Sequence, residues 1–253
     1  MELFSPSLFI FAYLTSPLSA SASPIVLTHP STLLATLFII HYINRSLLSP
    51  LRTPSRSKSH LIVPLAGILF NFLNGFSMGA YLSSPSARAF LEDAYRRPTF
   101  YVGLGLWTLG FAGNIIHDEI LLNIRRKANS KGKKHDGAKT QNNRSTEHYA
   151  IPQGLLYEYI SYPNYFCEWM EWAGFALAAA PPPTLSDVIQ AMSSLSFGSL
   201  LTSAFPLAIT PPFIFFVAEV ILMLPRAYHG HKWYLQNFPE YPKNRRIVLP
   251  FVW

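Results

Sequence analysis

Residues 151–172 carry polar and aromatic side chains in an order that could support chemistry. The carboxylates and the amide of this segment directly precede the apolar run 173–180. Such groups are costly in a membrane-grade segment, so they indicate a functional site rather than a plain anchor. The alternative is a water–lipid boundary, where Tyr and Trp gather around any membrane helix. The side chains concerned are Tyr157, Glu158, Tyr159, Tyr162, Asn164, Tyr165, Glu168 and Glu171.

Helical spacing groups several further polar residues. Asn114, Asp118 and Arg125 are four and seven positions apart, which places them on one helix face. Asn164 and Glu168 are also four apart. Such faces are typical of interhelical hydrogen bonds, but three arginines together with a histidine-rich segment favour an anionic cofactor with phosphates. The other polar residues at the ends of apolar runs are Glu2, His41, Tyr42, Arg45, Arg226, His229, His231 and Tyr234.

Other classes of site lack their sequence signatures. There is neither a G-x-G-x-x-G nor a Walker sequence, so a Rossmann domain is not expected. His229 and His231 are two positions apart, which would splay metal ligands on a helix, and no Cys/His zinc spacing exists; we expect no metal. Cys167 is the single cysteine, so no intrachain disulfide can form. The net charge of +7 is spread between apolar runs, which argues against a nucleic-acid partner.

The composition predicts an all-α, polytopic membrane helical bundle. Of the 253 residues, 50% are hydrophobic and 13% are charged, and this charged share is about half that of soluble domains. The triple proline 181–183 should end one helix, because proline cannot continue it. Residues 184–204 stay unassigned. Six stretches are predicted to be membrane helices: 3–22, 31–48, 60–82, 100–122, 164–180 and 205–224, the last interrupted by Pro211 and Pro212.

The basic residues predict an orientation. Segments 45–58, 125–144 and 226–253 hold four, eight and five of the 20 Lys and Arg, all on one side of the predicted spans. Because cytosolic loops are rich in Lys and Arg, that side and the C-terminus should be cytosolic. Segment 128–147 has no apolar periodicity and should be disordered. A secretory signal is the alternative for residues 3–22, but Glu2 stands where a positive charge is needed.

Two motifs resemble the steroid 5α-reductase family. They are GLLYEYISYPNYFCEWMEWAGFALA at 154–178 and RAYHGHKWYLQNFPEYPKNRRIVLPFVW at 226–253. LFIIHY, FNFLNG and GNIIHDEIL add weaker similarity, so that the likeness covers almost the whole chain. The resemblance implies a seven-helix reductase of the endoplasmic reticulum membrane. Such enzymes bind NADPH in a cytosol-facing cavity and reduce the Δ4 double bond of 3-oxo-steroids.

The resemblance also implies two sets of site residues. Glu2 and Tyr42 match the pair that polarises the C3 ketone of the substrate, while hydride from the nicotinamide attacks C5 and C4 takes a proton. Glu2 can donate only if it stays protonated, which burial in an apolar cavity would achieve by raising its pKa. The residues that match the family's cofactor-binding pattern are Asn114, Asp118, Arg125, Tyr149, Asn164, Glu168, Arg226, His231, Tyr234 and Arg245.

The likeness has three departures. The chain starts where the family's second helix would start, so we expect the first helix to be missing. Glu2 would then lie in a frayed terminus, and this form should be a poor enzyme. The tandem histidine of the C-terminal motif is interrupted by Gly230. Ala150 stands where the family has arginine, and segments 128–147 and 181–204 are insertions.

From the same resemblance we expect one membrane-embedded domain over residues 1–253, with the cofactor-binding region in 151–253. We expect a monomer that acts among membrane lipids on a steroid or another lipid enone. Reductases of trans-2-enoyl-CoA or polyprenol are the alternatives on a related scaffold, and Glu2 with Tyr42 favours a cyclic enone over them. A membrane methyltransferase that binds S-adenosylmethionine, a lipid-binding protein and an inactive truncated paralogue also remain open.

Overall fold

The computed structural model describes residues 2–20, 24–53, 60–134, 150–194 and 209–251. Within these ranges the regular secondary structure is helical apart from one isolated parallel bridge, between Ile160 and Arg246. Five helices begin at a proline, whose fixed φ and missing N–H suit the first helical position. The α-helices are α1 (Phe4–Thr15), α2 (Pro30–Ile43), α3 (Ser49–Arg52), α4 (Ile62–Ser83), α5 (Pro85–Leu91), α6 (Pro98–Lys134), α7 (Pro163–Ala179), α8 (Leu185–Ser194) and α9 (Pro211–Asn237).

The prediction of an all-α polytopic membrane bundle is confirmed. Helices lie at all six predicted stretches, and α7 ends before the triple proline, as expected. Of these helices, α1 has 12 residues and α7 has 17, fewer than the roughly 20 that cross a bilayer directly. Among the described residues, four segments are long and apolar enough to cross a membrane: Pro30–Arg52, Ile62–Ser83, Pro98–Ala128 and Pro211–Asn237.

Two predicted boundaries are wrong. Helix α6 continues to Lys134, although segment 128–147 was expected to be disordered; residues 135–147 lie outside the described ranges. Adding a residue to an existing helix costs much less free energy than nucleating a new helix. The helix of the apolar span can therefore continue into the polar residues that follow it. The prolines expected to interrupt the last span instead start α9, which then continues through Pro225 to Asn237.

The chain divides into two compact units, and α6, α7 and α9 each contribute residues to both. The first unit comprises Met1–Leu48, Lys58–Trp107 and Trp172–Ala218. The second unit comprises Ser49–Ser57, Thr108–Glu171 and Glu219–Trp253.

In the first unit, α1 and α4 touch through their backbones. A Cβ atom added to Gly75 or Gly79 would overlap a carbonyl oxygen of α1, that of Ser5 or of Phe9. Small residues four apart permit this close approach between membrane helices. The aromatic core beside this contact contains Phe9 stacked on Phe38 at 4.2 Å between ring centres. The close helix contact therefore fixes where the polar residues of α4 lie.

In the second unit, α6 and α7 approach equally closely. A Cβ atom at Gly110 would overlap the backbone of Cys167 and Glu171, so glycine is needed there. The segment before α7 is held by the parallel bridge, in which Ser161 N donates to Arg246 O at 2.9 Å and Arg246 N donates to Tyr159 O at 2.8 Å. Both contacts position the start of α7, where the polar residues of this unit gather.

Candidate functional site

Four polar side chains of the second unit form one hydrogen-bonded group on α6 and α7. Asn114 Nδ2 donates to Glu168 Oε2 at 3.0 Å and to Asn164 O at 3.4 Å. Asn164 Nδ2 donates to Asp118 Oδ1 at 3.0 Å. The structure thus brings together the two helix faces singled out in the sequence. We call Asn114, Asp118, Asn164 and Glu168 the Asn164 cluster.

The close contact at Gly110 explains the Asn164 cluster. Asn114 lies one helical turn beyond Gly110 and therefore faces Glu168. Asn114 and Glu168 are buried, and the amide compensates a carboxylate that would be costly alone. Asn164 Oδ1 is buried and has no hydrogen-bond partner within the part of the chain that the structure describes. An N–H or O–H of a ligand would satisfy this acceptor.

The short 3₁₀ turn Leu155–Glu158 is attached to α6 through His117. Nδ1 of His117 pairs with Gly113 O at 2.6 Å and therefore donates, which leaves Nε2 to accept from Leu156 N at 3.4 Å. The Tyr157 hydroxyl donates to His117 O at 3.3 Å. Burial raises the pKa of Tyr157, so its hydroxyl remains a donor at neutral pH. These contacts hold the segment that leads into the Asn164 cluster.

Arg245 is a buried cation in the same unit. Its Nη1 donates to Pro152 O at 2.9 Å, and its guanidinium carbon lies 5.1 Å from the ring centre of Tyr241. Its Nε atom is buried without a partner, and no described carboxylate pairs with the side chain. A buried guanidinium with only neutral partners is suited to an anion such as a phosphate.

The remaining residues predicted to bind the cofactor differ in their burial and in their contacts. His231 Nδ1 is hydrogen-bonded to Ser161 Oγ at 2.6 Å, so this histidine supports the bridge region. Tyr234 stacks on Tyr241 with 5.1 Å between ring centres. Arg125 and Arg226 are exposed, and Tyr149 lies outside the described residues.

In the first unit, the polar group around Tyr42 consists of Glu2, Ser5, Tyr42, Arg45 and Asn74; we call it the Tyr42 cluster. Asn74 Nδ2 donates to the Tyr42 hydroxyl oxygen at 2.7 Å and to Ser5 Oγ at 3.5 Å. Tyr42 is only 4% exposed. The ring centres of Phe38, His41 and Trp172 lie 4.7, 5.1 and 6.4 Å from that of Tyr42.

Glu2 does not have the apolar enclosure that donation by its carboxyl would require. Its Oε1 lies 3.5 Å from Arg45 Nε, and its side chain is 28% exposed. Glu2 precedes the first helical residue, Phe4, so no helix packs it into the unit. The burial that would keep Glu2 protonated is therefore not seen, and the side chain forms an ion pair with Arg45 instead.

Comparison with known proteins gives the family. The chain matches the profile described as 3-oxo-5-alpha-steroid 4-dehydrogenase over residues 57–202 and 196–253. The chain belongs to the 3-oxo-5-alpha-steroid 4-dehydrogenase family. It is an oxidoreductase of this type, as the resemblance implied.

Named relatives come from animals and plants. 3-Oxo-5-alpha-steroid 4-dehydrogenase 1 of Rattus norvegicus is 32% identical over 223 residues, which cover 88% of this chain and 68% of the relative. Steroid 5-alpha-reductase DET2 of Solanum lycopersicum is 31% identical over 225 residues, covering 87% and 69%. An uncharacterised protein of Schizosaccharomyces pombe is 38% identical over 261 residues, covering 100% of this chain and 82% of that protein.

Sequence reasoning missed two residues of this family member. Asn74 lies within the predicted span 60–82, where a buried amide is costly and so signals a role. Tyr162 was noted in segment 151–172 but given no role. The contacts of Asn74 with Tyr42 and of Tyr162 with Gly230 join residues far apart in the chain, so only the structure shows them.

Proposed function

We propose that this oxidoreductase uses NADPH to reduce the Δ4 double bond of a 3-oxo-steroid, adding hydride at C5. The observation that carries the proposal is membership of the 3-oxo-5-alpha-steroid 4-dehydrogenase family, whose profile covers residues 57–253. The geometry of the two clusters supports it, because each offers groups of the kind that one of the two reactants requires.

The second unit offers the groups that a nicotinamide dinucleotide requires. Arg245 is a buried guanidinium without an acidic partner among the described residues, which fits a phosphate. Asn164 has a buried acceptor oxygen without a partner in the same ranges, which fits the N–H of a carboxamide. Arg125 and Arg226 are exposed cations that would draw the polyanion to this unit. When bound, NADPH would supply the hydride.

The first unit offers the group that a ketone requires. The Tyr42 hydroxyl would donate its hydrogen to the C3 carbonyl oxygen and stabilise the negative charge that develops there. The amide of Asn74 already donates to the phenol oxygen. That bond fixes the hydroxyl and stabilises charge on its oxygen as the hydrogen moves toward the ketone. Asn74 is thus a positioning residue for Tyr42.

Glu2 would assist Tyr42 at the same ketone. Its ion pair with Arg45 must open before the carboxyl can donate, because an ionised carboxylate only accepts hydrogen bonds.

The proposed setting is the endoplasmic reticulum membrane, with the C-terminus cytosolic and a monomeric chain. The distribution of Lys and Arg supports this orientation, since 17 of the 20 fall in the segments assigned to the cytosolic side. A cytosolic cofactor region also suits NADPH, which is water-soluble, while the substrate is a membrane-soluble lipid.

Isotope transfer tests the proposed reaction. Membranes that contain the protein are supplied with a 3-oxo-Δ4 steroid and NADPH deuterated at the transferable position, and the product is analysed by mass spectrometry and NMR. We expect one deuterium at C5 of a 4,5-saturated steroid. Membranes without the protein provide the background. Steroid that stays unlabelled while NADPH is not consumed contradicts the proposal.

A further inference from the structure

Tyr162 fills a gap on the face of α9 that carries two of the proposed cofactor residues. Arg226, Gly230 and Tyr234 follow one another at intervals of four and so share one helix face. Position 230 has no side chain. A Cβ atom there would overlap the Tyr162 hydroxyl oxygen and lie 2.6 Å from its Cζ carbon. The phenol of Tyr162 therefore occupies the space that a side chain at position 230 would take.

The backbone holds Tyr162 in this place. Its N–H donates to Ile247 O at 3.0 Å, which extends the parallel bridge by one residue. Pro163 follows it directly and starts α7. The Tyr162 ring also lies 5.1 Å from that of Tyr165. The phenol is thus directed toward α9 by its backbone and ring contacts rather than by its hydroxyl.

The Tyr162 hydroxyl is available to a ligand. It makes no hydrogen bond to any described residue, although the side chain is only partly exposed. Burial raises the pKa of Tyr162, as do the neighbouring Tyr234 and Tyr165, while Arg226 acts in the opposite direction. The hydroxyl is therefore a protonated donor at neutral pH, close to a guanidinium. A donor beside a cation suits an oxygen of an anionic ligand.

We propose that the Tyr162 hydroxyl binds a phosphate or ribose oxygen of NADPH, replacing a side chain that α9 lacks at Gly230. This inference rests on the proposed function, because it adds a residue to the same cofactor site. It explains how a chain whose tandem histidine is interrupted by glycine keeps a hydrogen-bonding group on this face. Tyr162 and Gly230 then form one functional unit, in which neither residue can be changed alone.

Removal of the hydroxyl is the first test. Tyr162→Phe keeps the ring and its packing, and the dissociation constant of NADPH is measured by calorimetry on the purified full chain in detergent. A lost hydrogen bond to a charged group should raise this constant about tenfold or more. Tyr159→Phe is the matched control, since Tyr159 belongs to the same segment but is 50% exposed and packs on Phe251. The control should bind NADPH like the unaltered protein.

A reciprocal exchange is the second test. Gly230→His alone should weaken NADPH binding, because the new side chain and the Tyr162 phenol need the same space. Tyr162→Ala alone should also weaken it. Combined, the two changes should bind NADPH more tightly than Tyr162→Ala alone, since the imidazole enters the vacated space. Thermal unfolding midpoints of all variants show that each one is folded.

The outcomes separate this inference from the proposed function. Arg226→Ala serves as the reference variant, because loss of a charge-assisted contact should weaken NADPH binding whatever Tyr162 does. If Arg226→Ala weakens binding but Tyr162→Phe does not, the inference about Tyr162 alone is wrong. If Gly230→His weakens NADPH binding by the same factor with and without Tyr162, the inference that the two side chains occupy the same space is wrong. An unaltered protein that binds no NADPH would overturn both proposals.

Discussion

The Tyr42 cluster and the Asn164 cluster differ in the charge of the side chains that surround their central residues. Around Tyr42, a neutral amide donates to a neutral phenol that aromatic rings enclose. In the Asn164 cluster, two amides hold two carboxylates, one of them buried. The first arrangement suits a neutral ligand on which charge develops only during reaction. The second suits a ligand that is polar from the start, which supports our proposal that the substrate binds in the first unit and the cofactor in the second.

Tyr42→Phe should have the largest effect. Loss of one donor to a developing oxyanion costs about 10²–10³ in turnover, whereas the dissociation constant of NADPH should stay unchanged. Both are measured on the same purified sample. Tyr13→Phe is the control, since Tyr13 is another buried tyrosine of the first unit, with its hydroxyl near Ser31 and Thr32. Weaker NADPH binding by Tyr42→Phe with normal turnover would reverse the assignment of the two clusters.

Asn164→Leu should show the opposite pattern. It removes the acceptor proposed for the cofactor and the donor to Asp118, so the dissociation constant of NADPH should rise about 10- to 100-fold. Turnover at saturating NADPH should change much less. Asn237→Leu is the control, because Asn237 is exposed and, among the described residues, its amide donates only to Trp233 O of its own helix. Unchanged NADPH affinity in Asn164→Leu would contradict the proposal that the cofactor binds at this cluster.

Asn74→Leu should have an intermediate effect, restricted to turnover. Its amide acts through Tyr42, so we expect a loss of about tenfold, near the value of one hydrogen bond. Asn71→Leu is the matched control, because Asn71 is also buried on α4 but, within the ranges that the structure describes, donates only to Gly67 O of its own helix. In the Tyr42→Phe background, Asn74→Leu should cause no further loss. An equal further loss there would mean that Asn74 acts on the fold and not on Tyr42.

The smallest expected effect is a pH dependence confined to the first unit. His29 Nδ1 accepts from Ser31 N at 3.1 Å and so caps α2 in its neutral form. Burial lowers the pKa of His29 below 6.5, as does Arg88, while Glu92 opposes them. The unfolded chain therefore binds the proton more readily, so this stability is present above about pH 6.5 and is lost as the pH falls below it.

The measurement is the thermal midpoint between pH 8 and pH 5.5. Because His29 is partly exposed, the drop attributable to it should be at most about 2 °C. His29→Asn can cap the helix without titrating and should remove this part of the drop. NADPH affinity should not follow the same titration, and a parallel loss of affinity would contradict the proposed binding of NADPH in the second unit.

The sequence predicted the positions of the helices well, because a membrane-spanning helix requires a long apolar stretch. Such a stretch can be recognised from the residue types alone. The four-residue spacings of Asn114 with Asp118 and of Asn164 with Glu168 also predicted shared faces correctly. The contact between those faces depends on Gly110, whose role is visible only when α7 lies against it. Asn74 with Tyr42 and Tyr162 with Gly230 are 32 and 68 positions apart, and no periodicity encodes such pairs. The ion pair of Glu2 with Arg45 spans 43 positions and is likewise visible only in the structure.

The bridge between Ile160 and Arg246 has a consequence for how the protein is made. Helices α7, α8 and α9 all lie between its two partners in the chain. During synthesis, the segment that leads into α7 must therefore wait, unpaired, until α9 has left the ribosome and reached the membrane. A nascent chain that stalls earlier lacks the bridge and Arg245 together. The order of translation thus makes this pairing, and the placement of Arg245 beside Pro152, late events in folding.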